Sequence, residues 1–276
     1  MTSAFRAEVR EWLAAHVPDP PLPSLDTAEG FDRHRAWERE LAAAGLAVVS
    51  WPARYGGREA TLSEWLVFEE EYYAAGAPAR VGQNGLSLLA PTLFTHGTDE
   101  QRDRLLPPMA RADEVWAQAW SEPDAGSDLA ALRSRAVPTS GGWLLSGTKT
   151  WSSRAAFADR AFGLFRSDPD AERHRGLTYL MFDLRAPGVM HRPRRVGSTA
   201  GAGARSGPAS PSLIRDAAGS GSREGLRSVT LFAQAGSPCS RRWLTPMTRV
   251  GPSRNASNVA PNSARSAGAN TSRPPA

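Results

Sequence analysis

The amino-acid sequence predicts an α+β fold, in which an all-helical amino-terminal domain (1–114) precedes an incomplete antiparallel β-barrel domain (115–193). Apolar residues recur at helical spacing over roughly the first hundred residues, and from about Val115 they occur instead in short runs between turn residues. From residue 194 onward the composition shifts to Arg, Ala, Gly, Ser and Pro. Such a segment buries too little apolar surface to offset its ordering entropy, so the tail (194–276) is predicted to be disordered.

Three stripes of residues at helical spacing each predict a helix in the first domain. Positions i, i+3, i+4 and i+7 lie on one face of a helix, with polar residues between them facing away. The stripes are Phe5, Val9, Trp12 and Leu13; Trp37, Leu41 and Ala44; and Leu62, Trp65, Leu66, Glu69 and Tyr73. One helix therefore opens the chain, and two more follow it.

Two predicted helices begin with a capping box, in which a Thr caps the helix and the residue three positions on bonds back to it. Thr61 with Glu64 precedes the third stripe, and Thr98 with Gln101 precedes a fourth helix. The dipeptide Pro107–Pro108 is expected to end that helix, because proline lacks the backbone donor that a helix needs.

The second domain is predicted from short runs rich in Val, Leu, Trp and Phe, which are separated by turn residues such as Pro123–Gly126 and Ser140–Gly142. Four candidate strands follow from these runs: Val115–Trp120, Trp143–Ser146, Arg160–Phe165 and Leu177–Leu184. Their short spacing favours a largely antiparallel sheet.

Composition excludes several classes of function. Cys239 is the single cysteine, so neither an intrachain disulfide nor a thiolate metal site is available, and the five histidines lack a ligand spacing. We therefore expect no metal. No apolar run is long enough to span a membrane, and the amino terminus lacks the pattern of a secretory signal, which predicts a cytoplasmic protein.

Charge is divided unevenly along the chain. The tail holds twelve Arg, no Lys and only two acids, a net charge of +10, whereas residues 1–193 carry a net charge of −5. A basic tail raises the alternative of a nucleic-acid binder. Its arginines are mostly isolated, without RGG repeats or interleaved aromatic residues, so this alternative is the least favoured.

Two segments of the β domain combine aromatic, hydroxyl and glycine residues. The first, Gln118–Asp128, is a strand that runs into a Gly/Ser turn, and the second, Gly147–Ser153, presents Trp151 beside hydroxyl side chains. Taken singly, each is also typical of an ordinary surface turn or of a buried tryptophan. Lys149, the only lysine of the chain, lies in the second segment, where a solvated charge and a functional one are both open.

Together, and in this order, the two segments resemble the flavin-binding signatures of the acyl-CoA dehydrogenase family, which run S/T-E-P-x-x-G-S-D and K-x-W-x-T/S. Ser121–Asp128 matches the first signature and Lys149–Ser153 the second. Upstream, Trp51–Gly57 and His96–Gln101 are similar to linkers of that family's helical domain. Downstream, His174–Thr178 and Asp183–Val189 are similar to its continuation, so the resemblance covers roughly residues 4–194.

The resemblance implies a flavoprotein oxidoreductase that uses FAD to desaturate acyl-CoA thioesters between Cα and Cβ. It implies that Trp120 and Ser121 lie against the flavin, that Trp151 and Ser153 pack on the ring and bond to it, and that Ser127 helps to hold the CoA portion of the substrate. Trp120 replaces the family's more usual residue, and its bulk is expected to alter the pocket. The implied partners are an electron-transfer flavoprotein and further copies or subunits in a homo- or hetero-oligomer.

The family's catalytic base is a carboxylate from a carboxy-terminal helical domain, and the resemblance ends before that domain. Asp216 and Glu224 are the only acids of the tail and lie in no amphipathic pattern, so no catalytic residue is assigned. The chain as written is expected to be truncated and inactive by itself. A non-catalytic remnant that binds flavin or acyl-CoA weakly is the main alternative, and a reading-frame slip in GC-rich DNA is a hypothesis for the tail's composition.

Overall fold

The computed structural model describes residues 2–139, 142–194 and 228–233, and it confirms the α+β fold: a helical part followed by a curled sheet. Five α-helices occur in the described chain: α1 Thr2–His16, α2 Ala28–Ala43, α3 Leu62–Ala74, α4 Ala90–His96 and α5 Asp99–Ala110. A π-helical turn, Gly85–Leu89, leads directly into α4. Short 3₁₀ turns lie at Ala53–Tyr55, Leu129–Ala131 and Arg173–Gly176.

The first two stripes form the buried faces of α1 and α2, as predicted. Val9 and Leu13 of α1 and Trp37 and Leu41 of α2 are each at most 2% exposed and belong to one core. Helical spacing therefore identified which faces of these two helices are covered.

Helix α3 begins with the predicted capping box, but the predicted stripe lies on its outer face. Leu66 and Tyr73 are 53% and 74% exposed, whereas Phe68 and Tyr72 are buried. The inner face also carries Glu71, whose carboxylate accepts hydrogen bonds of 2.5–2.9 Å from two arginines of α1. These ion pairs between helices orient α3, and apolar spacing within the helix does not reveal them.

Helix α5 does not stop at Pro107–Pro108 as predicted, but continues to Ala110. Leu105, Leu106 and Met109 are at most 2% exposed, so the last turn of the helix packs into the core. Two prolines so close to the helix end remove few intrahelical bonds, and the packing of this turn outweighs that loss.

Seven strands form one mixed sheet: β1 Trp116–Ala119, β2 Arg135–Thr139, β3 Gly142–Lys149, β4 Arg160–Arg166, β5 Leu177–Asp183, β6 Val189–Arg194 and β7 Ser228–Ala233. The order is β1-β4-β2-β3-β7-β6, with β5 on the other edge of β4. Most pairs are antiparallel, but β4 pairs parallel with both β1 and β2, so the sheet is not purely antiparallel as predicted.

The four predicted strands correspond to β1, β3, β4 and β5, whereas β2, β6 and β7 were not predicted. Strand β7 lies inside the segment that was predicted to be disordered, and it pairs antiparallel with both β3 and β6. The rest of 195–276, which includes Asp216, Glu224 and Cys239, lies outside the described residues.

The core crosses from the helices into the sheet. Trp116 of β1, Phe162 of β4 and Met181 of β5 are buried in the same cluster as the inner faces of the helices. A second cluster fills the other side of the sheet and includes Ala161 and Phe165 of β4. Strand β4 is therefore covered on both faces. The chain segments that follow its neighbouring strands extend from this well-packed part of the sheet.

Candidate functional site

The first motif segment begins where β1 ends and turns back on itself. Backbone hydrogen bonds join Glu122 and Ala125 in both directions, at 2.8 and 3.2 Å, which closes the turn. Trp120, just before the turn, is partly buried, and its ring lies edge-on to Phe162 with 6.5 Å between the centroids. Ser127, just after the turn, is exposed.

The second motif segment leaves the carboxyl end of β3. Trp151 has a φ of 60°, which is uncommon for a residue other than glycine, and its side chain is 55% exposed. The N–H of Ser153 donates to the carbonyl oxygen of Trp151 at 2.9 Å, and Ser153 is exposed. Ser152 between them is fully buried. The tight turn thus presents a large aromatic ring and one hydroxyl at the surface, and it encloses the other hydroxyl.

The structure brings the two segments together. The N–H of Thr150 donates to the carbonyl oxygen of Ser121 at 2.8 Å, and the Nζ of Lys149 donates to the carbonyl oxygen of Trp120 at 3.2 Å. Four of the predicted site residues, Trp120, Ser121, Trp151 and Ser153, are therefore part of one junction between two chain segments. The contacts of the described residues do not link Ser127 to the second segment.

A buried ion pair lies inside this junction. The Nζ of Lys149 donates to Glu122 Oε1 at 2.8 Å, and the two side chains are only 3% and 8% exposed. Burial lowers the pKa of Lys149, against the opposing effect of Glu122. Burial raises the pKa of Glu122, but the hydrogen bonds from Arg133, Lys149 and Ser134 outweigh it and hold that pKa below its usual range. Lys149 is therefore not a solvated charge, and Glu122 is held in its ionised form.

Three buried polar atoms at the junction have no hydrogen-bond partner among the residues that the structure describes: Trp120 Nε1, Thr150 Oγ1 and Ser152 Oγ. Each such atom costs about 1–3 kcal/mol, so it is normally satisfied by water or by a bound molecule. A flavin ring requires hydrogen-bonding groups at its polar edge and an aromatic or apolar surface on its face. These three atoms, with the exposed Trp151 and Ser153, fit that requirement.

Sequence reasoning missed Glu122 and Ser152 as members of the junction. Glu122 was visible only as part of a motif, and its hydrogen bonds to the N–H groups of Arg133 and Ser134, at 2.6 and 2.9 Å, depend on the fold. A signal was present at Lys149, since a single lysine in a chain rich in arginine marks a position with a special requirement.

A cavity of about 450 Å³ lies in the helical part, close to the second motif segment. Its wall is largely aromatic and aliphatic, and Arg154, which follows Ser153, also lines it. The aromatic lining residues are Trp51, Trp65, Phe68, Tyr72 and Tyr73. Volume and lining are both in the range of sites that bind organic molecules.

A smaller groove of about 240 Å³ runs between the first turn and the end of β3. Pro123–Ala125 form one wall, and Gly147 and Thr148 form the other. Gly147 has a φ of +148°, and a Cβ there would stand 2.1 Å from the Oγ of Ser134. The groove therefore depends on a close approach of two backbone segments that only glycine permits.

Metal sites and membrane-spanning helices are two further features that can be assessed in the described residues. In them, no cluster of three or more His, Cys, Asp or Glu side chains could hold a metal ion. The helices in the same ranges include none with the length and apolarity that crossing a membrane requires.

Solved structures that share this fold include acyl-CoA dehydrogenases. The Tcur3481-Tcur3483 steroid ACAD in its G363A variant superimposes with a TM-score of 0.65 at 26% identity, covering 90% of this chain and 56% of that one. The ChsE4-ChsE5 complex from Mycobacterium tuberculosis gives a TM-score of 0.65 at 25% identity, covering 90% of this chain and 55% of that chain. The fold is thus that of the acyl-CoA dehydrogenase class.

Comparison of sequences identifies the family directly. Residues 2–113 match the model of the acyl-CoA dehydrogenase N-terminal domain, and residues 117–206 match the model of the middle domain. Acyl-CoA dehydrogenase IpdE1 of Mycobacterium tuberculosis is 41% identical over 195 residues, which are 68% of this chain and 51% of that protein. The chain belongs to the acyl-CoA dehydrogenase family, and it spans about half the length of the curated relatives it matches.

Proposed function

We propose that this chain is the cofactor- and substrate-binding part of an FAD-dependent acyl-CoA dehydrogenase, which introduces a Cα–Cβ double bond into acyl-CoA thioesters. When bound, the flavin supplies the acceptor for the hydride that leaves Cβ. The observation that carries this proposal is the junction of the two motif segments, which brings Trp120 and Ser121 beside Trp151 and Ser153.

In this proposal each junction residue acts by binding or orienting. Trp151 packs against the flavin ring, while Ser121 and Ser153 bond to its polar edge and Trp120 restricts the space next to it. Ser127 lies on the exposed side of the first turn, and there it holds part of the CoA moiety. The neighbouring groove of about 240 Å³ supports that assignment.

The acyl group is proposed to enter the cavity of about 450 Å³, whose lining includes Arg154, the residue just after the second motif segment. Its aromatic wall suits a large apolar group, because such side chains contribute much buried area and form few hydrogen bonds. The solved Tcur3481-Tcur3483 structure is that of a steroid ACAD. A CoA thioester with a steroid-derived acyl group is therefore the substrate class to test first.

We assign no catalytic base to this chain. Glu122 is the carboxylate inside the junction, but it already accepts bonds from Lys149 and from two backbone N–H groups. A carboxylate for the α proton is therefore proposed to come from a partner subunit, and an electron-transfer flavoprotein is the proposed acceptor of the electrons. The two-component ChsE4-ChsE5 complex, whose fold this chain shares, supports a hetero-oligomer.

The experiment is an anaerobic titration of the purified chain with FAD, followed by addition of acyl-CoA, both read by visible absorption. We expect saturable FAD binding that Trp151→Ala weakens, without bleaching by acyl-CoA until a partner subunit is added. Leu62→Ala is the matched control, because Leu62 is also an exposed apolar side chain, at 66%, but it lies at the start of α3 and lines neither the cavity nor the groove. Absence of flavin uptake by the wild-type chain, alone and with a partner, would favour a non-catalytic remnant.

A further inference from the structure

The first motif segment interrupts the sheet along one edge of β4. Strand β1 pairs with Arg160–Gly163, and β2 pairs with the same strand again only at Arg166. Between these two pairings the chain leaves the sheet for the turn and the 3₁₀ helix. The carbonyl oxygen of Leu164 lies in this interval, and it accepts a hydrogen bond from Lys149 Nζ at 2.7 Å.

Lys149 joins three parts of the protein at this interruption. Its Nζ donates to Trp120 at the end of β1, to Glu122 in the turn and to Leu164 in β4, so all three donors of the ammonium group are used. The ring of Phe165 lies 5.0 Å from the same nitrogen, within range of a cation–π interaction. The side chain crosses from β3 to β1, two strands that are not paired with each other in the sheet.

Glu122 extends the connection to the far end of the loop. Its carboxylate accepts the N–H groups of Arg133 and Ser134, just before β2 begins. One ion pair therefore connects both ends of the loop between β1 and β2 to the start of the second motif segment. The adjacent bond from Thr150 to Ser121 completes the junction.

The choice of lysine is specific to this geometry. The chain has 33 basic residues, and 32 of them are arginine. Three acceptors converge on one point here, which suits a compact ammonium group with three donors, whereas a planar guanidinium presents its donors in a wide fork. The single lysine lies where a guanidinium would force the acceptors apart.

We propose that Lys149 is a positioning residue: through its three bonds it sets the spacing between the segment that carries Trp120 and Ser121 and the segment that carries Trp151 and Ser153. It acts on a bound flavin only through those segments, so its role in cofactor binding rests on the proposed function. Its role in ordering the two segments holds without any ligand.

The test compares the full chain with Lys149→Met, Lys149→Arg and the double variant Glu122→Gln/Lys149→Met. The double variant removes both buried charges, so it is expected to fold even if Lys149→Met does not. Arg39→Met, which alters a half-exposed arginine of α2, is the matched control. Backbone amide exchange is measured without ligand, and FAD affinity by absorption titration.

We expect the amides of Thr150 and Ser134 to exchange about tenfold faster in all three Lys149 variants, with other strand amides unchanged. FAD affinity is expected to fall about tenfold or more in each of them, including the arginine variant and the stably folded double variant. Arg39→Met should match the wild type in both measurements. A merely structural role predicts instead that affinity recovers together with stability in the double variant.

Unchanged amide exchange in the variants, or wild-type FAD affinity in Lys149→Arg, would overturn the positioning role. If the wild-type chain binds no FAD, alone or with a partner subunit, the proposed function fails. The exchange measurement then still decides on Lys149: faster exchange at Thr150 and Ser134 supports it, and unchanged exchange contradicts it.

Discussion

Replacing Gly147 by alanine should destabilise the protein strongly, because the added methyl group has no room. The new Cβ would stand 2.1 Å from the Oγ and 2.5 Å from the Cβ of Ser134, a residue that is only 2% exposed. Overpacking costs about 1–3 kcal/mol, and the φ of +148° adds strain of similar size. Together they predict a loss of about 2–6 kcal/mol in the free energy of unfolding.

Urea unfolding followed by tryptophan fluorescence measures this loss. Gly126→Ala in the first motif segment is the matched control, because a Cβ there meets no atom within 4 Å, and it should stay within about 0.5 kcal/mol of the wild type. Ser134→Gly in the Gly147→Ala background should recover part of the loss, since it removes two of the three close atoms. The reasoning is refuted if Gly147→Ala unfolds at the same urea concentration as Gly126→Ala.

Three further predictions concern the helical part. The arginine partners of Glu71 lower the pKa of its carboxyl to about 2. This carboxylate therefore stabilises the fold above its unfolded pKa of 4.5 and loses that effect as pH falls towards 2. Glu71→Gln should reduce the difference between the urea midpoints measured at pH 6 and at pH 3. The indole of Trp37 donates to the buried hydroxyl of Tyr72 at 2.7 Å, and a double-mutant cycle with both residues changed to Phe should give a coupling of about 0.5–1.5 kcal/mol. Leu93→Ala, at a fully buried site, should cost about 2–5 kcal/mol in thermal or urea unfolding, whereas Leu66→Ala, 53% exposed, should cost less than about 0.5.

The sequence alone was sufficient to predict those elements whose local signals agree with the fold. Both capping boxes are present, with Thr61 bonded to the N–H of Glu64 and Thr98 to the N–H of Gln101. These signals were reliable because a cap satisfies backbone donors within one turn and needs no distant partner. The orientation of α3 was not predictable in this way, since it depends on Glu71 meeting arginines of another helix.

Of the unpredicted strands, β2 lacks a clear pattern of its own. Strand β2 reads Arg-Ala-Val-Pro-Thr, and only its Ala136 is buried, so neither alternation nor apolar content distinguishes it from a loop. It exists because β3 pairs with it along its whole length, from Arg135 opposite Ser146 to Thr139 opposite Gly142. Strand β7 depends on partners far away in the sequence, which no local window contains.

The structure joins the two segments that the motifs singled out in the sequence. The binding roles of Trp120, Ser121, Trp151 and Ser153 stay a prediction, and the hydrogen bonds inside the junction could not be predicted. The burial of Ser152 could not be read from the sequence, because a hydroxyl residue next to an exposed one gives no sign of which of them is enclosed.

The shared core has a consequence for cooperativity. The two matched family domains meet near residue 115, yet Trp116, Phe162 and Met181 of the sheet pack into the same cluster as the inner faces of the helices. A helical fragment cut at that boundary would lose these three side chains from its interior and expose the surface they cover. Heat or urea should therefore disrupt helices and sheet in a single transition, so the boundary in the sequence is not a boundary in stability.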